Sequence, residues 1–195
     1  MQKPLLFFLL MLSIPFFGRG QENKNQNIKK GILRTQGTIS SGLMPKNNLV
    51  NIYLSGDLEY YISESISIRS DAYYFLSTMQ GPSIFSKNHS SSTGALFHFV
   101  KNKNFDPYIG IQPGIAFSGL NCSSSENNTY ACYTSFNPLL STIAGFNYYA
   151  PTLFHLFMNI RYVNGKHLSE APSGPVSLNE VKISFGLGWN FRVKK

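Results

Sequence analysis

Val181-Lys182-Ile183-Ser184-Phe185-Gly186-Leu187-Gly188-Trp189-Asn190-Phe191 alternates without a fault: every odd position is large and apolar, every even one charged, polar or glycine. A period of two belongs to a β-strand with one apolar face and one wet face. The stretch also has the roughly ten residues that a tilted strand needs to cross a bilayer. Working outward from it, the pattern recurs. Val50, Ile52, Leu54, Leu58, Tyr60 and Ile62 oppose Asn51, Tyr53, Ser55, Asp57, Glu59 and Tyr61. Ile66, Ile68, Ala72, Tyr74 and Leu76 oppose Ser67, Arg69, Asp71, Tyr73 and Phe75. Residues 107–117 and 154–162 alternate in the same way, and noisier segments lie at 32–42, 93–100 and 138–149. Eight strands are therefore predicted.

The links between them alternate too. Short turns are expected near Ser63-Glu64, at 101–104 and at Ala150-Pro151, and long links at 77–92, 119–136 and 164–179, with 45–48 the short exception. Short periplasmic turns facing longer outer loops characterise an outer-membrane barrel, and an even strand count puts both termini in the periplasm. The predicted fold is all-β: an eight-stranded antiparallel transmembrane β-barrel over residues 31–195. Pro113 sits inside a predicted strand and cannot donate to a ladder, so a bulge or a lost hydrogen bond is expected there.

Met1-Gln2-Lys3-Pro4, the apolar run 5–17 and the small residues around Gly18-Arg19-Gly20 read as an export signal cleaved after Gly20, and residues 21–30 read as a loose polar tail. Past that point no long uninterrupted apolar run exists, so any crossing of the membrane is made by strands. Removing Lys3 and Arg19 from the 17 basic residues leaves 15 against 9 acidic ones, a net charge of +6. The lysines are scattered over turns and the C-terminus, which suits anionic lipid headgroups better than nucleic acid. Cys122 and Cys132 are the only cysteines, in a Ser/Asn-rich stretch, and an exported chain would join them as a disulfide.

Period alone leaves open which way the apolar face points. A soluble lipocalin-like carrier would turn it inward around an apolar ligand. Eight strands enclose little more than their own side chains. The small residues of the wet faces (Gly110, Gly114, Gly186, Gly188, Ser55, Ser184) fit that space, and Phe154, Tyr162, Phe185, Trp189 and Phe191 would overfill it. The wet faces therefore point inward, bringing Arg34, Asp57, Glu59, Arg69, Asp71, His155, Arg161, Glu180 and Lys182 into the lumen. Buried charges persist only when paired. A lumen charge network of Asp57, Glu59, Arg69, Asp71, Arg161, Glu180 and Lys182 is expected. Arg69 should face Asp57 or Glu59, and Arg161 should lie near Glu180. This reads as a closed polar plug, not a pore.

The runs 57–68, Phe105-Asp106-Pro107-Tyr108-Ile109-Gly110 and 181–191 resemble the outer-membrane β-barrel domain family of Bacteroidetes-type bacteria, which is similar to the small OmpA/OmpX-type barrels. That resemblance implies a Gram-negative outer-membrane location and says little about activity. One stretch, Arg161 to Ser169 followed by Glu180, resembles loosely the histidine–serine–acid arrangement of outer-membrane lipid A deacylases. It offers His167 as base, Ser169 as nucleophile and Glu180 as orienting acid. The principal reading is non-enzymatic, with no cofactor and no metal: a structural or surface-interaction barrel. Its partners would be outer-membrane lipid, lipopolysaccharide, the assembly machinery and a surface ligand of loops 77–92, 119–136 and 164–179. His98 reads as a lone histidine on a weak strand.

Overall fold

A computed structural model describes residues 30–81, 84–99, 104–121, 134–149, 154–168 and 176–192. The proposed signal, nearly all of the tail, Cys122, Cys132 and Ser169 lie outside the described residues. Eight antiparallel strands follow one another around a closed barrel: β1 (Ile32–Met44), β2 (Leu49–Tyr61), β3 (Ile66–Gln80), β4 (Phe85–His98), β5 (Phe105–Leu120), β6 (Thr134–Tyr149), β7 (Phe154–Gly165) and β8 (Glu180–Arg192). β8 closes on β1, with Leu33 opposite Phe191 and Leu43 opposite Val181. Closure leaves no sheet edge, the condition for a sheet to stand in lipid.

The period-two reading carries over to three dimensions. Leu58 and Phe185 point outward and are 52% and 61% exposed, whereas Arg34, Arg69 and Arg161 are buried inside. An apolar calyx would require the reverse, so the lipocalin alternative is overturned. Outward aromatics gather near both ends of the wall. Tyr60, Phe97, Phe105, Tyr148, Phe154 and Trp189 stand toward the termini, and Tyr74, Phe117 and Phe136 toward the opposite, loop end. On β6 the ten steps from Phe136 to Phe146, at about 3.3 Å each and a tilt near 40°, cover about 25 Å of membrane height, the span of an apolar belt.

The strands are longer than expected, 12 to 16 residues for β3 to β7. The link expected at 77–92 shrinks to 81–84, because β3 runs on to Gln80 and β4 begins at Phe85. Likewise 119–136 shrinks to 121–133 and 164–179 to 166–179, where Lys166 bridges Ser177. Strand that leaves the belt is wet on both faces, so Ser86-Lys87-Asn88-His89 shows no apolar alternation although it is paired. Two turns at the loop end touch: Gly81 has φ +95°, and a Cβ there would lie 2.3 Å from the Asn48 carbonyl oxygen. Only glycine meets both demands.

The lost pairing expected at Pro113 is present as a gap. The β4–β5 ladder reaches Ser92↔Gly114 and resumes at Ala95↔Ile111, skipping Thr93 and Gly94, while Pro113 stays in register with Leu140 of β6. The backbones crowd at this gap. A Cβ on Gly94 would meet the Ile111 carbonyl oxygen at 2.2 Å and the Gln112 Cα at 2.8 Å. Gly37 faces outward, with nothing nearer to a Cβ than the Ser55 carbonyl at 3.9 Å. Gly94→Val should therefore abolish most of the compact, heat-modifiable form on gels, whereas Gly37→Val should leave it intact. Equal yields from both variants would contradict the wall geometry.

Candidate functional site

The one concentration of chemistry among the described residues is the lumen, and it is layered. At the terminal end Arg34 of β1 reaches across the barrel. Its guanidinium donates to Glu59, to the Tyr149 hydroxyl at 2.7 Å and to Asp106 Oδ2 at 3.2 Å, and it lies 5.2 Å over the Tyr61 ring. Asp106 also accepts from the Tyr61 hydroxyl (2.8 Å) and Asn147 (3.2 Å). His98 spans the two acids, with Nδ1 2.7 Å from Asp106 and Nε2 3.1 Å from Glu59. Strand register makes this possible: inward positions of β1, β2, β4 and β5 near one barrel end fall at one height.

A second layer is centred on Arg69, directly across from Glu59 in the β2–β3 ladder. It pairs with Asp57 at 2.8 Å and Asp71 at 2.9 Å, donates to the Tyr108 hydroxyl at 3.0 Å, and stands 3.9 Å from Glu59. Asp71 then meets Arg161 at 2.7 Å, and Arg161 donates to Ser92 and Ser141. Asp106, Arg34, Glu59, Arg69, Asp71 and Arg161 thus form a chain of alternating sign up the lumen. A cavity of about 10 Å³ beside Gln36, Asp57, Phe157 and Asn159 is at the lower bound for one water.

The third layer holds Glu180 and Lys182. Glu180 accepts from the Tyr53 hydroxyl (2.8 Å) and Asn51 (3.1 Å) and stands 3.5 Å from Lys182. The Lys182 ammonium sits 4.2 Å over the rings of both Tyr53 and Tyr73, a pairing with two aromatic faces. Above it the interior turns apolar: Met44, Leu49, Phe75, Phe85, Leu120, Leu139, Val163 and Leu178 pack together inside the loop end. An interior polar throughout was expected. The adjacent leucines 139 and 140 show why this cap was hidden, since one points in and the other out.

All seven residues expected in the network lie inside the barrel, with one regrouping. Arg161 is opposite Lys182 and pairs with Asp71, whereas Glu180 is opposite Val163 and belongs to the tyrosine layer. Arg34 joins the network as a central member. Asp106 and His98 were missed, although Asp106 carries the correct strand parity and His98 is in no sense alone. With them the lumen holds Arg34, Arg69, Arg161 and Lys182 against Asp57, Glu59, Asp71, Asp106 and Glu180. His98 faces an acid oxygen at each ring nitrogen, and only the doubly protonated ring donates to both. His155 is a lumen residue, 2.9 Å from Gln36.

Of the candidate hydrolytic residues, His167 and Glu180 lie among the described residues and Ser169 does not. His167 is buried at the loop end, with Nδ1 2.8 Å from Ser118 Oγ and 3.2 Å from Ser135 Oγ, and Asn137 ties the same two serines together. Glu180 accepts from Tyr53 and Asn51 and stands 3.5 Å from Lys182.

No family model matches the chain and no curated protein matches it in sequence. Solved structures do share its shape. Outer membrane protein OprG from Pseudomonas aeruginosa superposes with a TM-score of 0.65 at 12% identity, covering 85% of this chain and 98% of that one. The N-terminal β-barrel domain of Pseudomonas aeruginosa OprF gives 0.58 at 13% identity, covering 83% and 98%. Ail, the attachment invasion locus protein of Yersinia pestis, gives 0.55 at 12%, covering 83% and 99%. The chain has the fold of the small eight-stranded outer-membrane barrels.

The network makes a quantitative demand. Asp57 Oδ2 pairs with Arg69, and Asp57 Oδ1 has no hydrogen-bond partner in the structure. Arg69→Met should strand Asp57 and cost about 3 kcal/mol of unfolding free energy, the penalty for breaking a buried pair from one side. Adding Asp57→Asn should recover part of that loss, since Asp71 keeps Arg161 and Gln112. Urea unfolding in detergent micelles measures both, and a neutral Arg69→Met would contradict the pairing.

Proposed function

We propose that this chain is an integral outer-membrane barrel whose lumen is closed by its own side chains, so that its work lies at its surface. It stabilises the membrane and meets lipopolysaccharide or outside partners at the loop end, through the links 121–133 and 166–179. The observation that carries this reading is the unbroken stack inside the barrel: three layers of paired charges under an apolar cap. A conducting path would need a continuous water column, and cross-lumen contacts such as Arg34 to Asp106, Arg69 to Tyr108 and Arg161 to Ser92 take up that space. The fold shared with outer-membrane barrels supports the location, as does the aromatic-edged apolar belt. The name of the neighbour Ail, an attachment invasion locus protein, describes a surface role of the same kind. Export and handling by the outer-membrane assembly machinery follow from that location.

Planar-bilayer recording tests the closed lumen. Purified protein should insert without producing stable ohmic steps. Steady openings of the wild-type protein, abolished by a bulky replacement at an inward small residue such as Gly186→Phe, would overturn the reading. Gly186 suits that purpose because a Cβ there already meets Thr38 at 2.8 Å and Phe157 at 3.0 Å.

A further inference from the structure

The outward wall of β3 and β4 departs from the rest of the belt. Between the Ile68↔Ala95 pair and the Tyr74–His89 stack it offers only Ser70, Ala72, Ser91 and Thr93. Ser70 Oγ and Thr93 Oγ1 are 2.9 Å apart on this exposed face. Leu58 stands beside Ser70 on β2 and Ile115 beside Ser91 on β5, both well exposed. Large side chains flanking small ones leave a shallow trough in the membrane-facing surface.

Toward the loop end the trough runs into a shelf of rings across four strands. Tyr74 stacks on His89 at 4.3 Å, His89 lies 6.4 Å from Phe117, and Phe117 lies 4.9 Å from Phe136. Two hydrogen-bond donors stand on this shelf. The Lys87 ammonium sits 5.7 Å over the Phe117 ring, with no acidic partner among the described residues. His89 Nδ1 accepts the Phe75 N–H at 3.1 Å, just past the last β3–β4 pair at Tyr73↔Ser90. The neutral ring therefore carries its proton on Nε2, and among the described residues no acceptor takes it. A lysine that lays its stem along an aromatic and holds its head at the belt's edge is placed as interfacial lysines are. Its anion has to come from outside the described chain.

We propose that this face binds one phosphorylated glycolipid of the outer leaflet. The lipid's phosphate is held by Lys87 and the His89 Nε2–H, and one acyl chain lies in the trough over Ser70, Ala72, Ser91 and Thr93. This rests on the outer-membrane reading, which places the loop end in the outer leaflet. A phosphate at the interface and a chain within the belt are both needed to touch both features, and a membrane lipid supplies both in one molecule. The charge-assisted contact fixes the headgroup, and the trough sets the chain's place.

Native mass spectrometry of the folded protein, released from detergent after incubation with bisphosphorylated lipid A, tests the site. The wild type should retain one lipid. The Lys87→Gln/His89→Gln double variant should retain at least ten-fold less, with its heat-modifiable migration and its silence in planar bilayers unchanged. Ser91→Leu, which fills the trough and keeps both donors, should also lose retention. Equal retention by wild type and double variant would overturn the proposal. So would equal competition by phosphatidylglycerol, which would mean adsorption of any anionic lipid. Failure of the outer-membrane reading would register separately, as loss of membrane insertion in the wild type itself.

Discussion

The structure depends on how an eight-stranded barrel disposes of buried charge. Its lumen is little wider than its own side chains and too polar in sequence for a hydrocarbon core, so each guanidinium must find carboxylates across the barrel. Glu59 is the pivot. It takes Arg34, is met by Ser67 and His98, and lies 3.9 Å from Arg69. Asp71 does the same between Arg69 and Arg161. An isolated buried ion pair contributes little net stability, because desolvation offsets attraction. A chain of alternating sign in which most acids have several donors recovers more of that loss. Tyrosine hydroxyls complete the set, with Tyr53, Tyr61, Tyr108 and Tyr149 filling volume with their rings and donating or accepting at their tips.

Inverting the usual order, with charge inside and apolar residues outside, also explains the wall. Every second residue belongs to lipid, so Leu58, Ile111 and Phe185 are exposed without being an aggregation fault. The inward positions are size-limited: Gly94 is there because the backbones of β4 and β5 close in where Pro113 leaves the ladder incomplete. The apolar cap lies above the charged layers at the loop end. It adds a dry core where the barrel rises above the belt.

Much of this was legible in the sequence, and the failures have physical reasons. Alternation placed Asp57, Arg69, Asp71 and Lys182 inside because the belt forces a strict period. It gave side but not height, so Arg161 was matched with Glu180 when its acid is Asp71 on β3, four strands from β7 and so across the barrel. Asp106 and His98 escaped because their partners lie far off in sequence: Arg34 is 72 residues from Asp106, and Glu59 is 39 residues from His98. The strand extensions escaped because wet strand carries no hydrophobic period, and the Lys87–His89 shelf lies in the stretch that looked like loop. The hydrolytic reading rested on sequence spacing; Ser169 lies outside the described residues, and His167 meets Ser118, 49 residues away.

The central claim is the inversion itself, and the chain carries its own probe. Trp189 is the sole tryptophan, 41% exposed on the outer wall and stacked edge-on against Phe154 at 5.7 Å near the terminal end. In vesicles, lipids brominated near the headgroup end of the acyl chain should quench its fluorescence strongly, lipids brominated at the chain terminus less, and aqueous iodide little. Absence of quenching by every brominated lipid would place the ring inside the barrel or outside the membrane, and would contradict this account.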